Sequence, residues 1–175
     1  MADLKDFETR PRVQLLEEIK GARCVMLGSP SADEHMQPMA PQIDKASIES
    51  VAAGEDSVIY FFSDNMSDLG RAVLAQPGAR VMATHIGKDY QACVEGALSP
   101  ASDPAALIER FWNPIAASWY PGGQDDPKML MLEFRPVEAA VWASTGNPLK
   151  FVFETAKANL TDTRPDLGKS KVIDV

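Results

Sequence analysis

Few residues of this chain carry chemistry on their own. There are two histidines, His35 and His85, far apart in the sequence and outside any metal-ligand spacing. Cys24 and Cys93, the only cysteines, each sit in an apolar, strand-like run and read as free, buried thiols. Gly122-Gly123 lacks the spacing of a phosphate loop or a dinucleotide fingerprint. No serine stands in a Gly-x-Ser-x-Gly elbow. The adjacent carboxylates Asp125 and Asp126 lie on a Gly/Pro-rich loop, where they suit backbone capping better than general-acid work. These residues lead to no metal centre and to no nameable catalytic group.

The composition narrows the remaining classes. The chain has 175 residues, 45% hydrophobic and 24% charged, which suits one globular domain spanning 1–175. A chain of this size buries enough surface to fold without a metal or disulfide staple. With 17 basic against 25 acidic residues the formal charge is −8. Nucleic-acid binding needs a basic face, and an anionic membrane surface attracts one, so neither partner is expected. No stretch reaches the apolar length of a membrane span, and the first residues lack the pattern of a signal peptide. The expected location is therefore the cytoplasm.

The elements that must position any site alternate irregularly. A first helix is expected with Thr9 as cap, Pro11 in its first turn, Val13, Leu15, Leu16 and Ile19 as its apolar stripe, and Gly21 at its end. Strands are expected over 22–28 and 35–43, the second demoted to an edge by Pro38 and Pro41. Residues 44–56 read as a loop with at most one helical turn. The β-branched and aromatic run 57–63 is the strongest strand. Ser67 then caps a helix that stops at Pro77-Gly78.

Strands over 79–86 and 90–98 are joined by a hairpin turn at Gly87-Lys88-Asp89. Asp103-Pro104 opens a helix, a second short one follows Pro114, and 120–127 is a loop. Residues 129–142 form a long strand kinked near Pro136, residues 151–160 a helix, and the polar tail 161–175 is extended. Hairpin connections dominate, which predicts an α+β, mainly β fold: an antiparallel sheet or barrel with peripheral helices.

Several segments, taken in order, resemble one family. They are Gln37-Pro38-Met39, Val58-Ile59-Tyr60-Phe61-Phe62-Ser63, Ser67-Asp68-Leu69 opening a helix that ends at Gln76-Pro77, and Val94-Glu95-Gly96-Ala97. Phe111-Trp112-Asn113-Pro114, Trp119-Tyr120-Pro121-Gly122-Gly123 with Asp126-Pro127, and Pro136-Val137-Glu138-Ala139-Ala140-Val141-Trp142 complete the set. Over about residues 10–160 the chain resembles the pyridoxamine 5′-phosphate oxidase-like proteins, in their bacterial general stress branch. The resemblance implies an antiparallel split β-barrel that binds flavin mononucleotide (FMN) at a homodimer interface, with a small-molecule substrate of unknown class.

The resemblance also implies a cofactor site built from Gln37, Pro38, Met39, Phe62, Ser63, Ser67, Leu69 and Trp119. The phosphate would lie near the second strand and the helix that Ser67 caps. Where the family usually has Arg and Lys for that phosphate, this chain has Gln37 and Leu69. Asp64 and Asp68 stand close by in sequence, and Arg71 lies about 200° around the helix from Leu69. Two functions follow: a flavin-dependent oxidoreductase of the stress-protein type, or a non-catalytic barrel that has lost FMN and holds another small molecule or none. Trp112 and Trp119 would roof the site or line the dimer seam, Trp142 reads as core, and Glu95 as rim or interface.

Overall fold

The computed structural model describes residues 3–28, 35–144, 156–157 and 168–175. Seven strands form one antiparallel sheet, in the order β2-β1-β4-β5-β6-β3, with β7 paired to β6. Their ranges are β1 Val25–Gly28, β2 Gln37–Met39, β3 Ile59–Asp64, β4 Ala79–Ile86, β5 Tyr90–Pro100, β6 Met129–Ser144 and β7 Gly168–Asp174. β2 and β3 lie at opposite ends of that order. They are brought together where Gln42, just past β2, bridges Tyr60 of β3 through paired backbone hydrogen bonds of 2.8 and 3.3 Å. This one bridge closes the sheet into a barrel with a short seam, the expected split-barrel α+β architecture.

Alternation decides what fills the barrel. In β3, Ile59, Phe61 and Ser63 are buried, while Tyr60 and Phe62 point outward. Val25, Leu27, Val81, Ala83, Val94, Leu98, Leu132, Phe134 and Val141 complete the interior. Helices α1 (Leu4–Thr9) and α2 (Pro11–Gly21) pack Phe7, Leu15, Leu16 and Ile19 onto that core. Outside the barrel, α5 (Pro104–Phe111) and α6 (Pro114–Trp119) lie beside Tyr60 and Phe62, with Leu107, Phe111 and Met131 as a second small core.

The long strand β6 bends as expected. Pro136 has no N–H to give the ladder, and the pairing shifts between Glu95 and Gly96, leaving Val137 as the extra residue. A Cβ on Gly96 would overlap the Arg135 carbonyl, so only glycine allows the strands to approach there.

Several expectations are corrected. Thr9 caps nothing: it ends α1, and its Oγ1 donates to the Lys5 carbonyl at 2.9 Å. Asp3 caps α1, through Oδ1 to the Lys5 N–H at 2.8 Å, and Arg10 joins the two helices without a side-chain cap. The loop expected over 44–56 contains α3, Lys45–Ala52, whose cap is Asp44. Two caps suffice to explain it: Asp44 accepts from the Ser47 N–H at 2.8 Å, and Arg110 of α5 donates to its other oxygen at 2.6 Å.

The cysteines are free but not buried. Cys24 is exposed, and Cys93 is half-buried because its neighbours Ala92 and Val94 take the inward positions. The same parity turns Trp142 outward, 45% exposed, against its expected place in the core. Part of the extended tail is a sheet strand, β7. The turn expected at 29–34 and most of the helix expected at 151–160 lie outside the described residues, Ala156 and Lys157 being helical.

Candidate functional site

The bridge between Gln42 and Tyr60 sets the geometry of the candidate site. Its antiparallel sense carries the chain back from Gln42 to Gln37 as β3 runs forward from Tyr60 to Asp64. β2 therefore approaches the end of β3 that leads into α4, Asp68–Ala75. On β2, Met39 and Gln37 pair with the inward residues Val25 and Leu27, so both face the barrel interior. Pro38 pairs with Met26 and faces out, where it is exposed. Ser63 also faces inward and is buried. Gln37, Met39 and Ser63 thus share the inner side of the seam.

The start of α4 is built by short-range hydrogen bonds. Ser67 is the N-cap: its Oγ accepts from the Gly70 N–H at 3.0 Å and donates to the Asp64 carbonyl at 2.7 Å. Asp64 accepts the Met66 N–H on its carboxylate at 2.7 Å. The backbone N–H groups of Asp68 and Leu69 point along the helix axis without an intrahelical acceptor, as first-turn donors do. Gly70 is required by close approach, since a Cβ there would overlap the Asp64 carbonyl oxygen.

The expected site residues divide. Gln37, Met39, Ser63 and Ser67 gather at the seam. Leu69 does not offer its side chain: it is 6% exposed and part of the barrel core with Val73, because the helix must bury that stripe. Phe62 stands on the other face of β3, edge-on to Trp112 and tilted against Tyr120 at 6.2 Å in both cases. Its ring contacts are thus intramolecular, with the residues that flank α6. Trp119 is 77% exposed at the end of α6, away from those rings.

Carboxylates dominate this end of the barrel. Arg71, the nearest cation on α4, pairs with Asp68 and donates to the Met66 carbonyl. Arg80 pairs with Glu95 on the outer face. Across the loop, Asp126 accepts N–H groups of Gly122 and Lys128, each at 2.9 Å, which hold its carboxyl below the usual range. Asp126 thus takes the capping role expected of the Asp125-Asp126 pair. Burial, helped by Asp64 and Asp126, pushes the Tyr120 phenol up to about 12. Two backbone donors remain at the start of α4, and Lys128, whose carbonyl accepts the Asn65 N–H at 2.9 Å, is a further cation at this end of the barrel. Among the described residues no cluster of His, Cys, Asp and Glu could hold a metal.

One other concavity matches no motif of the sequence. A shallow groove of about 320 Å³ lies between α3, the start of β3 and α5, lined by Ser47, Ser50, Asp56, Tyr60 and Arg110 among others. Its cation is already matched, since Arg110 pairs with Asp44. The Ser47 N–H and Arg110 outweigh burial and hold the Asp44 carboxyl low. Only the ion pair between residues distant in sequence creates this groove, so no local motif announces it.

The antiparallel barrel with one short seam, helices over one outer flank and a capped helix at the seam defines a split-barrel protein. The family model described as pyridoxamine 5′-phosphate oxidase like matches residues 11–166. A candidate general stress protein 26 from Jannaschia sp. is 28% identical, with a TM-score of 0.73 over 91% of this chain and 95% of that one. A candidate general stress family protein from Xanthomonas campestris pv. campestris is 32% identical, with a TM-score of 0.64 over 84% and 93%. A general stress FMN/FAD binding protein from Xanthomonas citri is 33% identical, with a TM-score of 0.63 over 77% and 89%. Nothing among curated proteins matches. The chain belongs to the pyridoxamine 5′-phosphate oxidase-like family, in its general stress protein branch.

Proposed function

We propose that this chain is a flavin-binding protein of the general stress type, working as a homodimer in the cytoplasm. The observation that carries the reading is the seam, where Gln37 and Met39 of β2 and Ser63 of β3 face inward beside the capped start of α4. The similar Xanthomonas citri protein, described as FMN/FAD binding, supports a flavin as the class of ligand. FMN is the form the resemblance implies. If a flavin binds, its ring supplies the redox chemistry and the chain supplies position and electrostatics. No residue is assigned a catalytic role.

A second copy has a face to cover. Across six strands, Pro38, Met26, Thr84, Cys93, Ala140 and Val172 form one outward row by pairing register. Val172 in that row is 61% exposed, and beside it Ile86 and Trp142 are 79% and 45% exposed, apolar side chains unusual for a free surface. Sedimentation of Thr84→Arg tests this. A dimer that falls to monomer supports the reading, and a wild-type chain that is monomeric removes it.

A second reading has its own observation. Leu69 sits in the core and Arg71 is spent on Asp68, so neither supplies on α4 the phosphate cation that the family usually has there. That favours a barrel that no longer retains FMN. The absorption spectrum of purified protein, before and after equilibration with FMN and removal of what is free, separates the two. A retained two-band flavin spectrum supports the first reading, and a colourless protein supports the second.

A further inference from the structure

We propose that the hairpin joining β4 and β5 is an acid-sensitive latch, which protonation of His85 opens locally while the barrel stays folded. His85 is the last inward residue of β4, and Tyr90 is the first of β5. Their rings are tilted at 43° with centroids 6.4 Å apart. His85 is 5% exposed and Tyr90 1%. Among the described residues, neither imidazole nitrogen has a hydrogen-bond partner, nor has the Tyr90 hydroxyl. An apolar side chain of similar size at position 85 would fill the space without that cost.

Little around the imidazole favours a cation. Its cross-strand neighbour on β5 is Ala92, and β1 offers Val25, one step beyond the Met26–Thr84 pair. Helix α1 brings Phe7 edge-on to Tyr90, and Lys171 of β7, which lies over the Phe7 ring, is tied to Glu8. In the turn, Lys88 is exposed and Asp89 half-buried. Among the described residues, Glu18 of α2 is the one charge that acts on His85, and burial outweighs it.

A protonated imidazole brings two N–H donors and a full charge into this pocket, and reaching water relieves both. Gly87 lies so close to Nε2 that a Cβ there would stand 2.8 Å from it. Three hydrogen bonds hold the turn. The Gly87 N–H donates to the Tyr90 carbonyl at 2.8 Å, the Gln91 amide to the Gly87 carbonyl at 2.9 Å, and the Ser144 N–H to the Asp89 carbonyl at 2.9 Å. Releasing the turn gives up these bonds, whereas releasing α2 also uncovers Leu15, Leu16 and Ile19. The opened turn takes Ile86 away from Trp142 on the outward face, so acid also loosens association, a consequence that rests on the dimer reading above.

Amide hydrogen exchange of the whole protein, followed by NMR between about pH 7.5 and 5 and corrected for intrinsic exchange rates, tests the latch. Opening at Gly87 and Ser144 should grow by up to about tenfold per pH unit below about 6.5, one proton per opening. It should respond little to urea below the unfolding transition, because a local opening exposes little surface. Val94 and Leu132 should exchange more slowly and speed up with urea. His85→Leu should remove the pH dependence at Gly87 and Ser144. A urea response there as steep as at Val94 and Leu132 would overturn the latch, since the proton would then act only through the whole fold. A wild-type opening at Gly87 that stays flat over this range overturns it too, whether or not the variant folds. Sedimentation of the wild type should show weaker association in acid, absent in His85→Leu; a chain monomeric throughout removes the dimer reading and leaves exchange to judge the latch.

Discussion

Gly70→Ala tests the start of α4 directly. In an ordinary exposed helix the change stabilises by about 0.5–1 kcal/mol, because glycine loses more backbone freedom on folding. Here the added methyl would overlap the Asp64 carbonyl oxygen and lie 3.1 Å from the Ser67 Oγ and the Asp64 carbonyl carbon. The obstacle is backbone, so α4 has to move. Moving it pulls the Gly70 N–H from the Ser67 Oγ, and a lost cap costs about 1 kcal/mol. Forced repacking of Leu69 and Val73 costs a further 1–3 kcal/mol or so. The balance is a loss of about 1–3 kcal/mol. With a urea slope of about 1–3 kcal/mol per molar, the midpoint falls by roughly 1 M at unchanged slope. Gly21→Ala is the control, since a Cβ there meets nothing within 4 Å and stability should not fall. A midpoint for Gly70→Ala at or above that of the wild type would refute the close approach of α4 to Asp64.

Three further outcomes are expected. Burial holds the His85 imidazole below 6.5 against the pull of Glu18, so the unfolded chain binds the proton first as pH falls. Stability is then retained above pH 6.5 and lost on acidification, and His85→Leu should flatten the urea midpoint between about pH 7.5 and 5.5; parallel curves would contradict this. All three tyrosines are raised by burial, Tyr120 to about 12, so absorbance at about 295 nm should stay flat through pH 10 until the chain unfolds. A native phenol titrating near 10 would refute the burial. With a thiol reagent, Cys24 should react quickly and Cys93 slowly, and two equal fast phases would place Cys93 on an open surface.

The hairpins and the barrel class were legible because the signals were local. Gly87-Lys88-Asp89 marks the turn between β4 and β5, and Pro136 marks the bend of β6. Ser67 as cap of α4 and Asp103-Pro104 as start of α5 follow from the hydrogen bonds those side chains make. Helix α3 was missed because one of its two supports, Arg110, lies 66 residues from Asp44. Cys93 and Trp142 were misplaced inward because apolar runs do not show which parity faces the core, and only register decides that. At the site, the order of motifs found the seam but not the orientation of each side chain. Leu69 stands next to the cap in sequence and yet belongs to the core, so a lysine placed there must leave the barrel packing to reach the site.

Strand β7 has a consequence for how the protein behaves in company. β6 offers one edge to β5; along its other edge β3 pairs with residues 129–134 and β7 with 138–144. Without β7, that second stretch would present a row of bare N–H and C=O groups, a template on which another chain can add a strand. With β7 in place the outermost strand carries Lys169 and Lys171, both tied to Glu8 of α1. Charged lysines on an edge discourage such addition, and at the opposite end of the sheet β2 does the same by being three residues long with Pro38 at its centre. Trimming the last strand should therefore show first as self-association and turbidity, with the barrel itself still folded.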